Sequence, residues 1–351
     1  MKTYLVTGGA GFIGSNFIIY MLKKYNDKKI INLDKLTYAG NLENVKEVEN
    51  NPNYKFVNAD ICDKETVNKI FEENDIDYVV NFAAESHVDR SIGGPEIFIK
   101  TNIIGTTNLL NTAKDAWKTK EGFKKGKKFL QVSTDEVYGS LGDVGYFTEN
   151  TPLDPHSPYS ASKASADLIV KAYYDTYKMP INITRCSNNY GPYQFPEKLI
   201  PLIINNCLNK KPIPVYGDGL NIRDWIYVED HYRAIDMVIK KGKTGKVYNI
   251  GGHNEKSNID IVKIIIKFLN ENVDNTITEE LIKYVEDRKG HDRRYAIDSS
   301  NIENELSFKP EMTFEAGIEK TIKWYLENVI WLNNVTSGEY QNYYKKMYES
   351  I

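Results

Sequence analysis

Gly8-Gly9-Ala10-Gly11-Phe12-Ile13-Gly14 stands between an apolar run, Thr3 to Thr7, and an amphipathic stretch, Phe12 to Lys24. A strand, a glycine turn and a helix in that order open a βαβ unit. Glycine suits a turn whose backbone must come close to a pyrophosphate, while the free N–H groups and positive dipole end of the following helix face the anion. Gly8, Gly11 and Gly14 are therefore candidate cofactor-binding residues. A second apolar run, Lys29 to Leu33, ends at Asp34, 20 residues after Gly14. At that spacing a carboxylate can accept hydrogen bonds from a dinucleotide's ribose. It would also repel the extra phosphate of NADP, so the pattern favours NAD, with only the neighbouring Lys35 pulling the other way.

The alternation continues outward. Strands are predicted at Tyr54 to Asn58, Tyr78 to Phe82, Phe129 to Val132 and Ile181 to Arg185, and helices at Lys64 to Asn74, Pro95 to Trp117 and Ala161 to Tyr177. Short apolar runs separated by longer amphipathic ones predict an α/β fold, a doubly wound parallel sheet. After Arg185 the rhythm breaks at Pro192, Pro196, Pro201, Pro212, Pro214, Gly217 and Gly219, followed by helices at Glu229 to Lys240 and Ile259 to Asn272 and a closing helical pair. We expect a nucleotide-binding domain over residues 1–190 and a smaller mixed α/β domain over residues 191–351. The chain is expected to return to the first sheet within residues 220–252, around Val247 to Ile250. The aromatic tail, Trp331 to Tyr348 with Tyr340, Tyr343, Tyr344 and Tyr348, is expected to dock on the protein rather than on a ligand.

With 351 residues the chain can bury a sizeable core. Its net charge of −3, spread through intermixed signs, carries no nucleic-acid footprint. No apolar stretch approaches the roughly 20 residues of a membrane span, and Tyr4-Leu5-Val6 runs straight into the glycines without a secretory leader. Three widely spaced cysteines, Cys62, Cys186 and Cys207, fit reduced thiols in the cytoplasm, and Cys186 is read as core packing. The five histidines show no i, i+4 pair and no Cys partners, so no metal site is expected.

Thr134-Asp135-Glu136 follows the fifth predicted strand, and Tyr159 and Lys163 follow later, one helical turn apart. Tyrosine and lysine at that spacing are the couple with which nicotinamide enzymes move a proton and a hydride. The two extra acidic groups suggest that oxidation serves a second step, removal of water from adjacent carbons. Taken singly each feature is bland: Tyr-x-x-x-Lys is common on helices, and Asp-Glu readily caps one. Their joint occurrence behind the glycine turn and Asp34 is what carries the reading. Ionising Tyr159 near neutrality requires a shift of roughly three units, about 4 kcal/mol, for which Lys163 and a cationic nicotinamide are the available sources.

With these residues in place the chain resembles an extended short-chain dehydrogenase/reductase, and Ser133 to Gly139 narrows the likeness to the nucleotide-sugar 4,6-dehydratases. Asp34 to Asn41, Ala83 to Ser91, Arg185 to Pro192 and Gly290 to Tyr295 extend it over nearly the whole length, and the pattern is most similar to the dTDP-glucose 4,6-dehydratase family. The resemblance implies a Rossmann-type NAD domain with Phe12, Ile13, Asp34, Lys35, Leu36, Thr37, Asp60, Ile61, Ala83, Ala84, Ser86 and Thr101 near the cofactor. It implies nucleotide-sugar contacts from Ser86, His87, Thr134, Asn188, Lys198, Leu199, Tyr216, Arg223, Asn258, Arg288 and His291. It further implies that Tyr159 deprotonates the hydroxyl on carbon 4, Glu136 removes the hydrogen on carbon 5, Asp135 protonates the departing hydroxyl on carbon 6, and Thr134 bonds the sugar. A homodimer is expected through the Ala161–Tyr177 helix, which has one apolar or small row at Ala161, Ala164, Ser165, Leu168, Ile169 and Ala172 and a second at Ala166, Val170, Tyr173 and Tyr177; one row can face the sheet, and the resemblance implies that a partner's equivalent helix covers the other. Lys289 departs from the family pattern, which has proline there. A UDP-sugar 4-epimerase would share Tyr159 and Lys163 but has no use for the acidic pair. Dehydration of UDP-glucose and a non-catalytic NAD-sensing scaffold also stay open on the sequence.

Overall fold

In the computed structural model the described residues are 1–338, 340, 342, 344 and 345. The first half alternates as the apolar runs require: β1 (Lys2–Thr7), α1 (Phe12–Lys24), β2 (Lys28–Asp34), β3 (Tyr54–Asn58), α2 (Lys64–Glu73), β4 (Tyr78–Asn81), α3 (Thr106–Trp117), β5 (Lys128–Thr134), α4 (Pro158–Tyr177) and β6 (Ile181–Cys186). Later α5 (Val228–Lys241) and β7 (Val247–Ile250) follow. The seven strands form one parallel sheet in the order β7-β6-β5-β4-β1-β2-β3. Both faces are covered, which is why β5 and β6 are buried at every residue. On one face α1 and α5 pack through Phe17, Ile18, Met21, Ile235 and Val238, and on the other α2, α3 and α4 pack through Val67, Leu109, Leu110 and Val170. The chain does rejoin the sheet at Val247–Ile250, beside β6.

Two helix boundaries differ from the sequence reading in ways that matter. α4 begins at Pro158, with Ser157 and Ser160 forming a reciprocal capping box, so Tyr159 lies in the first helical turn instead of ahead of it. The helix expected from Pro95 to Trp117 is interrupted by wide π-type turns over Ile99–Gly105. Here Asn102 turns inward, giving and accepting hydrogen bonds with the Glu85 backbone at 3.0 and 2.9 Å and donating to Ser162 at 2.8 Å. Those long-range contacts set the local winding, and such interruptions recur at functional sites.

The second half builds a separate core. Asn188–Tyr190, Ile222–Tyr227 and Glu255–Ser257 form a three-stranded sheet, and Ile213–Tyr216 pairs with Ile282–Val285. The helices Leu199–Leu208, Asn258–Asn272 and Phe314–Glu327 close over them. The tail docks through aromatic residues: Trp331 Nε1 donates to Asn44 at 2.8 Å, Tyr340 to the Pro196 carbonyl at 3.2 Å, and Asn206 to Tyr344 at 3.0 Å. Tyr343 and Tyr348 lie outside the described residues.

Behind the sheet's C-terminal edge, buried Arg185 of β6 donates to buried Asp167 of α4 (Nε–Oδ2 2.9 Å) and to Tyr138 (2.9 Å). Removing one partner of such a pair strands the other charge, so Arg185→Gln should lower stability by about 3–5 kcal/mol. Denaturant unfolding would show it, and a change under ~1 kcal/mol would mean that water reaches Asp167.

Candidate active site

Six of the seven parallel strands, β1 to β6, open at their C-terminal ends on one cleft. Its floor at one end is the glycine turn. Gly8 has φ +67°, and a Cβ there would lie 2.6 Å from the Ala83 nitrogen; one on Gly14 would lie 2.4 Å from the Gly8 carbonyl oxygen. The turn and the start of α1 thus leave an open, N–H-lined approach that side chains would fill. Asp34 ends β2, buried, with its carboxylate accepting from the backbone of Ala10 (2.9 Å) and Leu36 (2.8 Å). Lys35 is turned away to Asp60 at 2.7 Å, which removes the one cation that argued for a phosphate beside Asp34. Beneath, Asn81 joins Thr7, Thr106 and Gln131 in a buried network at 2.6, 3.1 and 2.8 Å, anchoring the strand end that leads to Ala83 and Ala84.

At the centre β5 delivers Thr134, and a single 3₁₀ turn, Asp135–Tyr138, carries the acidic pair. Thr134 caps that turn, its hydroxyl accepting from the Glu136 backbone at 3.3 Å. Tyr138 at its end is held by Arg185 and by Asn249 at 2.8 Å. Tyr159 and Lys163 enter from the first turns of α4, both buried.

The charges around these groups differ. Burial drives the Asp135 carboxyl well above the ordinary carboxylate range, reinforced by Glu136 and Asp224 and opposed by Arg223 and the Thr134 hydroxyl, and its Oδ2 has no hydrogen-bond partner among the described residues. Glu136 is raised by burial too, but Arg288, Lys198 and Arg223 oppose the rise. Arg223 acts on both carboxyls, while Arg288 and Lys198 act on Glu136, which makes Glu136 the better placed of the two to accept a proton and Asp135 to donate one. Burial, with Glu136, Cys186 and Asp135, also holds the Tyr159 phenol well above 10, and the Thr134 hydroxyl opposes this. Lys163 is pushed below its usual value by burial and donates to the Val132 carbonyl at 2.7 Å. Burial thus opposes the ionisation of Tyr159 expected from Lys163 and a cationic nicotinamide together, and Lys163 is turned to the Val132 carbonyl.

The cleft is lined by Gly8, Gly11, Phe12, Ile13, Gly14, Asp34, Lys35, Thr37, Asp60, Ile61, Ala83, Ala84, Ser86, Thr101, Thr134, Asp135, Glu136, Tyr159, Lys163, Asn188 and Lys198. Of the remaining candidates, Leu36 supports Asp34 from a left-handed backbone (φ +54°) without lining it. Leu199 packs against the second core, and Asn258 starts a helix, its N–H bonded to the Asn221 carbonyl at 3.0 Å. Buried His87 lies 3.3 Å from the Glu197 carbonyl. Tyr216, Arg288 and His291 gather beside the cleft around Asp89 and Asp287. Tyr216 donates to Asp89 at 3.3 Å, Arg288 lies 3.8 Å from Asp89, and His291 lies 2.6 Å from Asp287. Arg223 stacks 4.1 Å over the Tyr295 ring.

Sequence reading missed Glu197, buried against the cleft and paired with Arg90 at 2.9 Å, and it treated Cys186 as packing only. Cys186 does belong to the core but also lines the cleft, its thiol pushed up to about 12 by burial. Pro196-Glu197 ahead of a helix was the one available signal for the former; nothing local marked the latter. Among the described residues no cluster of three or more His, Cys, Asp or Glu could hold a metal ion, and no helix is long and apolar enough to cross a membrane.

Residues 5–321 match the family model described as GDP-mannose 4,6 dehydratase. The dTDP-glucose 4,6-dehydratase of Salmonella typhimurium is 53% identical, over 98% of this chain and 98% of its own. This chain belongs to the dTDP-glucose 4,6-dehydratase family. Among solved structures, the Bacillus anthracis family member in complex with NAD is 52% identical with a TM-score of 0.86, covering 95% of this chain and 100% of that one. The Streptomyces venezuelae member with NAD bound is 44% identical with a TM-score of 0.88, covering 95% and 99%. The family is a branch of the extended short-chain dehydrogenases/reductases, and the parallel sheet described above is its Rossmann-type fold.

Proposed function

We propose that this protein converts dTDP-glucose to dTDP-4-keto-6-deoxyglucose with NAD as its resident cofactor, a step toward deoxysugars. The observation that carries the reading is the division of Asp135 and Glu136 into unlike electrostatic surroundings beside Tyr159 and Lys163. An epimerase needs no such pair. The glycine turn that a Cβ would fill and the buried Asp34 carboxylate fit an NAD pyrophosphate and ribose. When bound, NAD would supply the hydride acceptor for oxidation at carbon 4 and, reduced, the hydride donor for carbon 6 within the same turnover.

The chain's own groups supply the rest. Tyr159 takes the proton of the carbon-4 hydroxyl, with the Thr134 hydroxyl sharing that contact and Lys163, buried one helical turn away, supplying positive charge. The carbon-4 ketone acidifies the hydrogen on carbon 5, which Glu136 removes. Asp135, kept protonated by burial, donates to the carbon-6 hydroxyl, which leaves as water. Lys198, Arg223 and Arg288 suit a diphosphate by charge, as do their positions on the cleft's second-domain side. The expected boundary at residue 190 shifts slightly, because Asn188–Tyr190 already pairs in the second sheet while Val228–Lys241 and Val247–Ile250 return to the first; on this reading the first core holds NAD and the second the nucleotide sugar. Incubating the purified protein with dTDP-glucose and with UDP-glucose tests the proposal. Faster formation of a 4-keto-6-deoxy product from the dTDP sugar is expected; a galacto epimer, or preference for UDP, would refute it.

We place the protein in the cytoplasm, supported by three unbridged cysteines. We also expect a homodimer. The outer row of α4 leaves Leu168 61% exposed, and Ile97, Ile99 and Ile104 lie open on the preceding segment. Ala164, grouped with that row from sequence, instead packs inward against Val137 and Tyr138. Sedimentation at micromolar concentration should give the dimer mass, and Leu168→Glu should shift it toward monomer. A wild-type monomer would refute the assignment.

A further inference from the structure

Asp292 is 6% exposed and uses every oxygen it has. One carboxylate oxygen lies 2.5 Å from His156 Nδ1, the other accepts from Tyr295 at 2.6 Å, and its carbonyl accepts from Arg223 at 2.9 Å and Asn221 at 3.2 Å. His156 lies three residues before Tyr159, on the segment that enters α4. The loop that carries Arg288 and His291 passes so close that a Cβ on Gly290, itself at φ +64°, would sit 2.8 Å from the His156 carbonyl oxygen. We propose that His156 and Asp292 form a strap between these two segments, and that His156 is a positioning residue for the loop that meets the substrate's nucleoside diphosphate. This rests on the proposed reading of that loop as the nucleotide site.

The titratable groups facing His156 are Asp292 and, 3.6 Å from its other ring nitrogen, Asp154. Both are acidic and raise its proton affinity above the usual 6.5, with Asp292 the larger influence. The ion pair is therefore complete at and below that pH and weakens as pH rises through the elevated value. Neither residue touches the reacting atoms, and the Asp292 charge is a minor influence on Glu136 beside burial, so the effect falls mainly on binding.

The test compares wild type with His156→Gln, whose side chain can still donate to Asp292 but does not titrate. It measures KM and kcat for dTDP-glucose between about pH 6 and 9, and affinity for dTDP by calorimetry. Wild-type KM should rise about two- to fivefold across the window, in keeping with a pair whose histidine is half-exposed, while the variant's stays level and kcat is the same in both proteins at each pH. The same KM profile in both proteins would overturn the strap, as would a loss confined to kcat. Amide hydrogen exchange over residues 286–292, without added nucleotide, reads the strap independently of the site it serves. Faster exchange in His156→Gln supports it, and equal exchange overturns it. Faster exchange together with no dTDP binding in either protein would instead overturn the nucleotide-site reading, and the positioning role with it.

Discussion

Glu136→Gln is expected to stop turnover after oxidation at carbon 4, with reduced nicotinamide accumulating on the enzyme. Glutamine keeps the shape and the capping contact of Thr134 to the residue-136 backbone, so the fold of the turn survives. What is lost is the carboxylate that Arg288, Lys198 and Arg223 favour against burial. Tyr159 and Lys163 are untouched, so the first proton and hydride still leave the sugar. The hydrogen on carbon 5 then has no acceptor. Turnover should fall by ~10²–10⁴-fold, the usual contribution of a positioned base, and exchange of the carbon-5 hydrogen with solvent deuterium should cease. If exchange continues at the wild-type rate, another group is the base.

Asp135→Asn should behave differently. Asp135 sits in the same turn but with burial, Glu136 and Asp224 all favouring its protonated form. Its role is to make hydroxide leave as water, so the loss should depend on the leaving group. With dTDP-glucose the variant should lose ~10²–10⁴-fold in rate. A 6-fluoro analogue, whose fluoride needs little proton help, should lose far less. Equal losses on both substrates would show that Asp135 positions the sugar or Tyr159 and donates nothing.

The contrast between these two residues explains what could be read from the chain and what could not. The sheet was legible because its strands centre on short apolar runs spaced by longer amphipathic ones, and the glycine turn, Asp34, Thr134, Tyr159 and Lys163 sit at fixed offsets from those runs. The identity of acid and base was not legible in Asp135-Glu136 alone. It depends on cations from positions 198 and 288, which reach the cleft only after the second domain has folded. The strands Asn188–Tyr190 and Glu255–Ser257 escaped notice for a related reason. Each has three residues with little apolar periodicity, and both exist because Ile222–Tyr227 pairs with them. The π-type turns at Ile99–Gly105 likewise depend on Asn102 meeting Glu85 and Ser162, contacts that no local window contains. Glu197 and His156 gain their partners, Arg90 and Asp292, across more than a hundred residues.

The central claim is that one cleft oxidises carbon 4, expels water across carbons 5 and 6, and restores the same hydrogen to carbon 6. The direct measurement uses dTDP-glucose carrying deuterium on carbon 4, with mass and NMR analysis of the product. The account predicts that the deuterium appears on carbon 6 of the 4-keto-6-deoxy sugar, with no net formation of reduced nicotinamide. Deuterium lost to solvent, or found still on carbon 4 of an epimerised sugar, would contradict it.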